Sequence, residues 1–255
     1  MFFFKHYFSF IFLVLILSFF SCKNLKNEDN DYTKEIEVIR FEKLFFEYDF
    51  DSISSLKKKF PYLFPKQFST NDWMSIYKDT LRIDIFNKSN QVFKNFNPYK
   101  IEISKNIKEI QHEFGDFYIP KIITINNGID YNYNIVKSDS LLLVSTDCYL
   151  GDNIHYKSIP NYISMKMNVY YFVKDITESF LLDFIKYPVD RRFISKIIYH
   201  GKLIYSMNKI TDFNLEQIIG ISQENLNWLT ENEDEIWEYF VTVSYTHLTL
   251  PTKRN

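Results

Sequence analysis

The fold of this chain is decided by the stretch KIITINNGIDYNYNIVKSDSLLLVS, residues 121–145, where the apolar pattern changes from helical spacing to strand spacing. Lys121 to Ile125 has the β-branched composition of a buried strand, and Asn126-Asn127-Gly128 is typical of a tight turn. Tyr131 to Val136 alternates apolar and polar side chains, and Ser140 to Ser145 contains a continuous apolar run. The stretch therefore predicts a small antiparallel sheet of three strands.

Helical spacing dominates on both sides of this sheet. Ile103, Ile107, Ile110 and Phe114 fall on one helical face, and Gly115 follows them, which predicts a helix that ends at the glycine. The same kind of spacing predicts helices within Ser69 to Leu81, Val169 to Phe184, Phe193 to Ile204, Glu224 to Thr230 and Asn232 to Val241. We therefore expect an α+β fold that is predominantly helical, with helices packed around the small sheet.

The first residues have the features of a bacterial lipoprotein signal. Lys5 and His6 form a basic start, Tyr7 to Phe20 is apolar, and Ser21 precedes Cys22. We expect residues 1–21 to be the signal peptide, Cys22 to be lipidated, and polar residues 22–34 to form a flexible tether. The alternatives are a plain cleaved secretion signal and a retained anchor, although the apolar run is shorter than the roughly 20 residues that a spanning helix needs.

The last residues have a different character. Residues 243–252, VSYTHLTLPT, resemble the translation of a sequencing adapter, and we expect residues 243–255 to be a non-native tail. The helix pattern from Asn232 to Val241 is followed by threonines and a proline without a capping glycine, which predicts a helix end there. The folded domain is then expected at 35–242, incomplete at its C-terminus.

Composition and charge limit the possible partners. The chain has 30 basic and 32 acidic residues and no long basic run, so we expect no nucleic-acid partner. It has only two cysteines, and with Cys22 acylated Cys148 has no partner for an intramolecular disulfide. Cys148 lies among apolar residues, which favours a buried, unreactive thiol. Aromatic residues make up 19% of the chain, and alanine is absent, which is the composition that an AT-rich genome would produce. This codon bias accounts for the number of aromatic residues, so we expect most of them to fill the core.

Candidate catalytic and metal-binding residues are few. His112-Glu113 is not followed by a second histidine one turn later, and His155 and His200 lack an adjacent nucleophile motif. The acidic run at 231–235 has the charge expected at a helix start, and Asp190-Arg191-Arg192 is typical of a solvated helix start. We therefore predict no catalytic residue, no metal ligand, no cofactor and no small-molecule substrate, with Cys22 as the one modified residue.

A series of short motifs resembles the gliding-motility lipoproteins of the GldB family of Bacteroidetes. The motifs occur in the family's order from Ile36 to Val241, and the family's final C-terminal portion is missing. They are RFEKLFF at 40–46, KFPYLFP at 59–65, KDTL at 78–81, DSLLL at 139–143, DCYLG at 147–151, IPNYI at 159–163, GKLIY at 201–205 and NEDEIW at 232–237.

This family is similar, more distantly, to predicted zinc peptidases that bind metal through a His-Glu-x-x-His helix. The helix after the sheet, where such relatives would be expected to hold their ligands, offers no histidine or cysteine; its polar residues are Lys174, Asp175, Thr177, Glu178 and Asp183. The resemblance therefore implies a catalytically silent, peptidase-like fold.

From the resemblance we expect a membrane-anchored, non-enzymatic lipoprotein of the gliding-motility and associated secretion machinery in the cell envelope. Its expected partners are the membrane, through the lipid, and other envelope proteins; the sequence leaves the choice of inner or outer membrane open. The alternatives are a zinc-peptidase-like enzyme or its vestige, and a surface lipoprotein that binds glycan through Trp73, Trp228 or Trp237.

Overall fold

A computed structural model describes residues 36–49, 53–151, 154–190 and 192–249. Cys22, the signal peptide 1–21, the tether 22–34 and the last residues of the expected tail lie outside the described residues. By their contacts, the described residues from Ile36 onward belong to one unit.

The sheet has four strands and mixed orientation: β1 (Val38–Arg40), β2 (Lys121–Ile125), β3 (Ile135–Lys137) and β4 (Leu141–Ser145). Their order across the sheet is β1-β2-β4-β3. β1 pairs with β2 and β2 with β4 in parallel, whereas β3 pairs with β4 in an antiparallel hairpin. The predicted α+β class is confirmed, but the prediction of a purely antiparallel, three-stranded sheet was wrong in both strand number and orientation.

The turn after β2 explains the error. Asn126-Asn127-Gly128 does not return the chain into a neighbouring antiparallel strand. It leads into a 3-10 helix at Tyr131–Tyr133, which begins where the Asp130 carboxylate accepts a hydrogen bond from the Asn132 N–H. β3 starts only at Ile135 and pairs with β4, not with β2. β4 therefore lies between β3 and β2, and it pairs with β2 in parallel.

Eleven α-helices occur in the described part of the chain. They are α1 (Phe41–Phe46), α2 (Ile53–Lys59), α3 (Thr70–Lys78), α4 (Thr80–Val92), α5 (Asn97–Phe114), α6 (Asn161–Ser164), α7 (Tyr170–Leu181), α8 (Phe193–Ile210), α9 (Leu215–Ile219), α10 (Gln223–Glu231) and α11 (Glu233–Thr249).

Local signals in the sequence set several helix ends. Ser69 and Asp72 form a reciprocal capping box at the start of α3, because each side chain bonds the other residue's backbone N–H. Gly115 ends α5 with φ of 92°, a conformation that a side chain disfavours, as the sequence predicted. The predicted helix end at Val241 was wrong, because α11 continues to Thr249. The adapter origin of residues 243–255 stays a prediction.

The two faces of the sheet carry separate apolar clusters. Side chains of neighbouring strand residues point to opposite faces, so Ile122 packs in the larger cluster and Ile123 in the smaller. The larger cluster includes buried residues of α5, α7 and α8. The smaller one is mostly aromatic, and its buried members are Phe41, Phe45, Ile53, Phe60, Phe64 and Ile123. Within the described residues, no helix is both long enough and apolar enough to cross a bilayer.

Candidate functional site

The carboxyl ends of β2 and β4 meet around one buried carboxylate, Asp147. The parallel pairing brings the loop after β2 beside the 3-10 helix Thr146–Cys148 that follows β4. Asp147 accepts hydrogen bonds from the backbone N–H groups of Asn127 (3.3 Å), Gly128 (2.8 Å) and Ile129 (2.9 Å). Such consecutive N–H groups form a concave binding site for an anion. In this protein the anion is supplied by the chain itself.

The loop adopts an unusual backbone to surround Asp147. Gly128 has φ of 85° and Ile129 has φ of 64°, in the left-handed region that β-branched residues rarely occupy. Burial raises the pKa of Asp147 from 3.8 to about 6, although the three backbone hydrogen bonds favour the charged form. The Asp147 carboxylate therefore holds a strained loop in place, which is a structural role.

A second group of charges lies on α7, where its side chains approach the hairpin of β3 and β4. The Tyr149 hydroxyl donates to Asp175 Oδ2 at 2.9 Å, and the Asn134 amide donates to the Tyr149 oxygen at 3.0 Å. Burial raises the pKa of Asp175, while the neighbouring Lys174 ammonium and the Tyr149 hydrogen bond oppose the rise. Lys174 contacts both Asp175 Oδ1, at 3.3 Å, and Glu178, one turn further along the helix.

An open cleft with a volume of about 900 Å³ is lined by Asn134, Lys174, Asp175 and Glu178. The lining also contains a second ion pair, between Lys137 at the end of β3 and Asp183 after α7. Aromatic side chains of Phe117, Tyr118 and Phe184 complete the lining. The cleft therefore combines three basic and four acidic side chains with aromatic ones.

The geometry of α7 bears directly on the expectation of a peptidase-like helix. Lys174 and Glu178 are spaced one turn apart, as two histidine ligands would be, but they form an ion pair with each other. Among the described residues, no three side chains of histidine, cysteine, aspartate or glutamate lie close enough together to hold a metal ion. Thr177 points into the core, where it bonds the Asn106 amide at 3.0 Å and the Val173 carbonyl.

The histidines lie in separate places. His112 lies 3.5 Å from Glu113, whose carboxylate receives a hydrogen bond from Lys209 at 2.5 Å. His155 is 2.8 Å from Asp84, and the exposed His200 ring packs against Tyr199. His247, which the sequence assigns to the tail, lies in the last turns of α11.

The remaining charged and thiol candidates have local partners or are solvated. Glu231, Glu233, Asp234 and Glu235 are exposed around the start of α11. Asp190 bonds Arg192 at 3.0 Å, which lowers the Asp190 pKa to about 2; Arg191 lies outside the described residues. Cys148 is buried, and burial raises the pKa of its thiol, so it stays protonated.

The tryptophans lie on three different helices. Trp73 on α3 is half-buried and packs on Phe64, with ring centroids 4.8 Å apart. Trp228 on α10 and Trp237 on α11 are exposed by 56% and 44%. Trp73 therefore belongs to the aromatic cluster of the core, while the other two are surface residues.

The sequence did not reveal the roles of Asp147, Tyr149 and Asn134. A signal was present for Asp147, since an aspartate directly follows a buried strand and a glycine loop follows the neighbouring strand. The contact between Tyr149 and Asp175 joins residues 26 positions apart and has no local signature.

Comparison with known proteins gives one family match. A family model described as "Gliding motility protein GldB" matches residues 22–252. No curated protein and no solved structure shows a significant match to the chain.

Proposed function

The chain belongs to the family of the gliding motility protein GldB, and we propose that it acts as a lipid-anchored, non-catalytic component of the gliding-motility and associated secretion machinery. The family match carries this proposal, since it extends over 22–252 and so includes both the predicted lipidation residue and the charged cleft. In this proposal the acylated Cys22 holds the protein at a membrane of the cell envelope. The folded domain then presents its surfaces to other envelope proteins.

The charges of the cleft support a non-catalytic role. Lys174 neutralises both Asp175 and Glu178, and Tyr149 donates to Asp175, so that each carboxylate already has a partner inside the protein. A general base needs a free lone pair directed at its substrate, and a zinc ligand needs one directed at the metal. The ion pair Lys174–Glu178 uses the positions that a metal-binding helix would reserve for ligands.

Radioactive palmitate labelling tests the anchor. Cells expressing the wild-type chain should incorporate label, and the Cys22→Ala variant should not. Cys148→Ala is the matched control, because it removes the other cysteine, which is buried, and should leave labelling intact. Equal labelling of wild type and Cys22→Ala would refute the lipid anchor.

Metal analysis tests the non-catalytic role separately. The purified chain from residue 23 onward, dialysed against zinc and then against buffer, should retain far less than one zinc per molecule. Glu178→Gln should not change that value. Stoichiometric zinc in the wild type that is lost in Glu178→Gln would favour the metallopeptidase alternative instead.

A further inference from the structure

The aromatic cluster on one face of the sheet surrounds a cavity of about 380 Å³ that is separate from the charged cleft. Its volume falls within the range of roughly 300–1,000 Å³ typical of small-molecule sites. The cavity lies at the carboxyl end of β2, where Ile125 and the following asparagines form its floor. Its apolar walls include Phe45, Leu63, Phe68, Trp73 and Ile76.

Three donor groups on residues that line this cavity lack an acceptor among the described residues: Trp73 Nε1, Asn126 Nδ2 and the Arg82 guanidinium. Trp73 Nε1 is buried without a hydrogen-bond acceptor in the described part of the chain, and a buried N–H group without an acceptor costs free energy. The Arg82 guanidinium lines the cavity, and no acidic side chain of the described residues forms an ion pair with it. All three groups are donors, so they favour a ligand with acceptor oxygens.

The position of Arg82 depends on the loop around Asp147. A Cβ atom on Gly128 would lie 3.0 Å from both terminal nitrogens of Arg82, so the glycine allows the guanidinium to lie against the loop backbone. Asp79, one turn earlier, directs its carboxylate to the backbone N–H groups that begin α4. The guanidinium therefore lies beside the cavity, against the backbone of the loop, and the Asp79 carboxylate is directed elsewhere.

The one carboxylate at the cavity is already neutralised. Glu42 is buried, pairs with Arg40 at 2.5 Å and accepts a hydrogen bond from Thr124 at 2.7 Å. It therefore does not balance the charge of Arg82. The cavity combines an apolar aromatic interior with the positive charge of Arg82 and two unpaired donors, Trp73 Nε1 and Asn126 Nδ2.

We infer that this cavity binds a monocarboxylate with an apolar chain, whose carboxylate pairs with Arg82 and whose chain lies among the aromatic side chains. A guanidinium and a carboxylate form charge-assisted hydrogen bonds, which are stronger than bonds between neutral groups. The apolar chain would gain free energy from burial against the phenyl and indole rings. This inference does not depend on the lipid anchor or on the role in gliding motility.

Calorimetric titration with decanoate and decanol tests the inference on the chain from residue 23 to 255, which contains all of the compact unit 36–255. Decanoate should bind with one-to-one stoichiometry and at least tenfold more tightly than decanol, which has the same chain without the charge. Arg82→Met should weaken decanoate at least tenfold and leave decanol unchanged. Lys88→Met on the same helix is the matched control and should bind as the wild type does.

Fluorescence locates the ligand. With Trp228→Phe and Trp237→Phe, Trp73 is the remaining tryptophan, and decanoate should change its emission with the same midpoint as in calorimetry. Absence of decanoate binding would overturn the inference. Equal binding of decanoate and decanol, unchanged in Arg82→Met, would also overturn it, because it would indicate a general apolar surface. Circular dichroism verifies that each variant is folded.

Discussion

Asp147 and Asp175 are both largely removed from solvent, yet they are stabilised in different ways. Asp147 is bound by backbone N–H groups of one loop and has no exposed surface. Asp175 is bound by the side chains of Tyr149 and Lys174 at the edge of a large cleft. The comparison separates a carboxylate that is enclosed by the backbone of one loop from one that is paired with side chains at the edge of an open cleft.

Asp147→Ala should have the largest effect on stability. It leaves three backbone N–H groups without an acceptor and removes the group that compensates for the strained Ile129. With a cost of about 1–3 kcal/mol for each unsatisfied buried group, we expect a loss of roughly 3–5 kcal/mol in the free energy of unfolding. Urea denaturation measures it. A loss of less than about 1 kcal/mol would show that the loop does not depend on this carboxylate.

The free energy of unfolding should depend on pH through the Asp147 carboxyl, and this dependence should be absent when an asparagine replaces it. The pKa of this carboxyl is about 6 in the folded state and 3.8 in the unfolded state, so the folded state binds more protons between those values. The contribution of this proton to the free energy of unfolding is fully present below about pH 4. It is lost as the pH rises through 6, a change of roughly 3 kcal/mol.

Denaturation at pH 4 and pH 7 provides the measurement. The free energy of unfolding of the wild type, minus that of Asp147→Asn, should fall between the two values. A difference that rises with pH would mean that the three N–H groups outweigh burial and lower the pKa instead.

Tyr149→Phe should have a smaller effect at the second carboxylate. It removes the hydroxyl that donates to Asp175 and accepts from Asn134, while the ring remains packed against Phe172. We expect a loss of about 1.5–3 kcal/mol in the free energy of unfolding, typical of a hydrogen bond to a charged group. Tyr171→Phe is a control, because Tyr171 lies on α7 one turn before Asp175. An equal loss in both variants would contradict the specific role of Tyr149.

The ion pair between Lys174 and Glu178 should contribute least. Helical pairs one turn apart couple by about 0.3–0.5 kcal/mol when exposed, and this pair is only partly exposed. A double-mutant cycle with Lys174→Met and Glu178→Gln should therefore give a coupling energy of about 0.5–1 kcal/mol. A coupling near zero would remove the argument that the two side chains satisfy each other.

The sequence predicted features that depend on neighbouring residues. The capping box at Ser69 and Asp72, the helix end at Gly115 and the burial of Ile103, Ile107 and Ile110 all follow from short spacings, and the structure contains each of them. The same is true of Cys148, whose apolar neighbours predicted a buried thiol.

Features that depend on distant residues were not predictable in this way. The parallel pairing of β2 with β4 occurs together with the contact between Asp147 and the loop 127–129, roughly twenty positions earlier. These long-range contacts override the local hairpin signal of Asn126-Asn127-Gly128. The extension of α11 past Val241 likewise departs from the local threonine-rich pattern. The charged cleft forms because α7 packs beside the β3–β4 hairpin, which no spacing within either segment encodes.

Complementation of gliding tests the proposed anchored, non-catalytic role most directly. In a gliding bacterium that lacks its own protein of this family, the wild-type chain and Asp175→Asn should both restore movement across agar, and Cys22→Ala should not, at equal protein levels in immunoblots. Loss of movement in Asp175→Asn at wild-type abundance would contradict the account, in which the Asp175 carboxylate is only paired with Tyr149 and Lys174 inside the protein. Movement restored fully by Cys22→Ala would contradict the anchor.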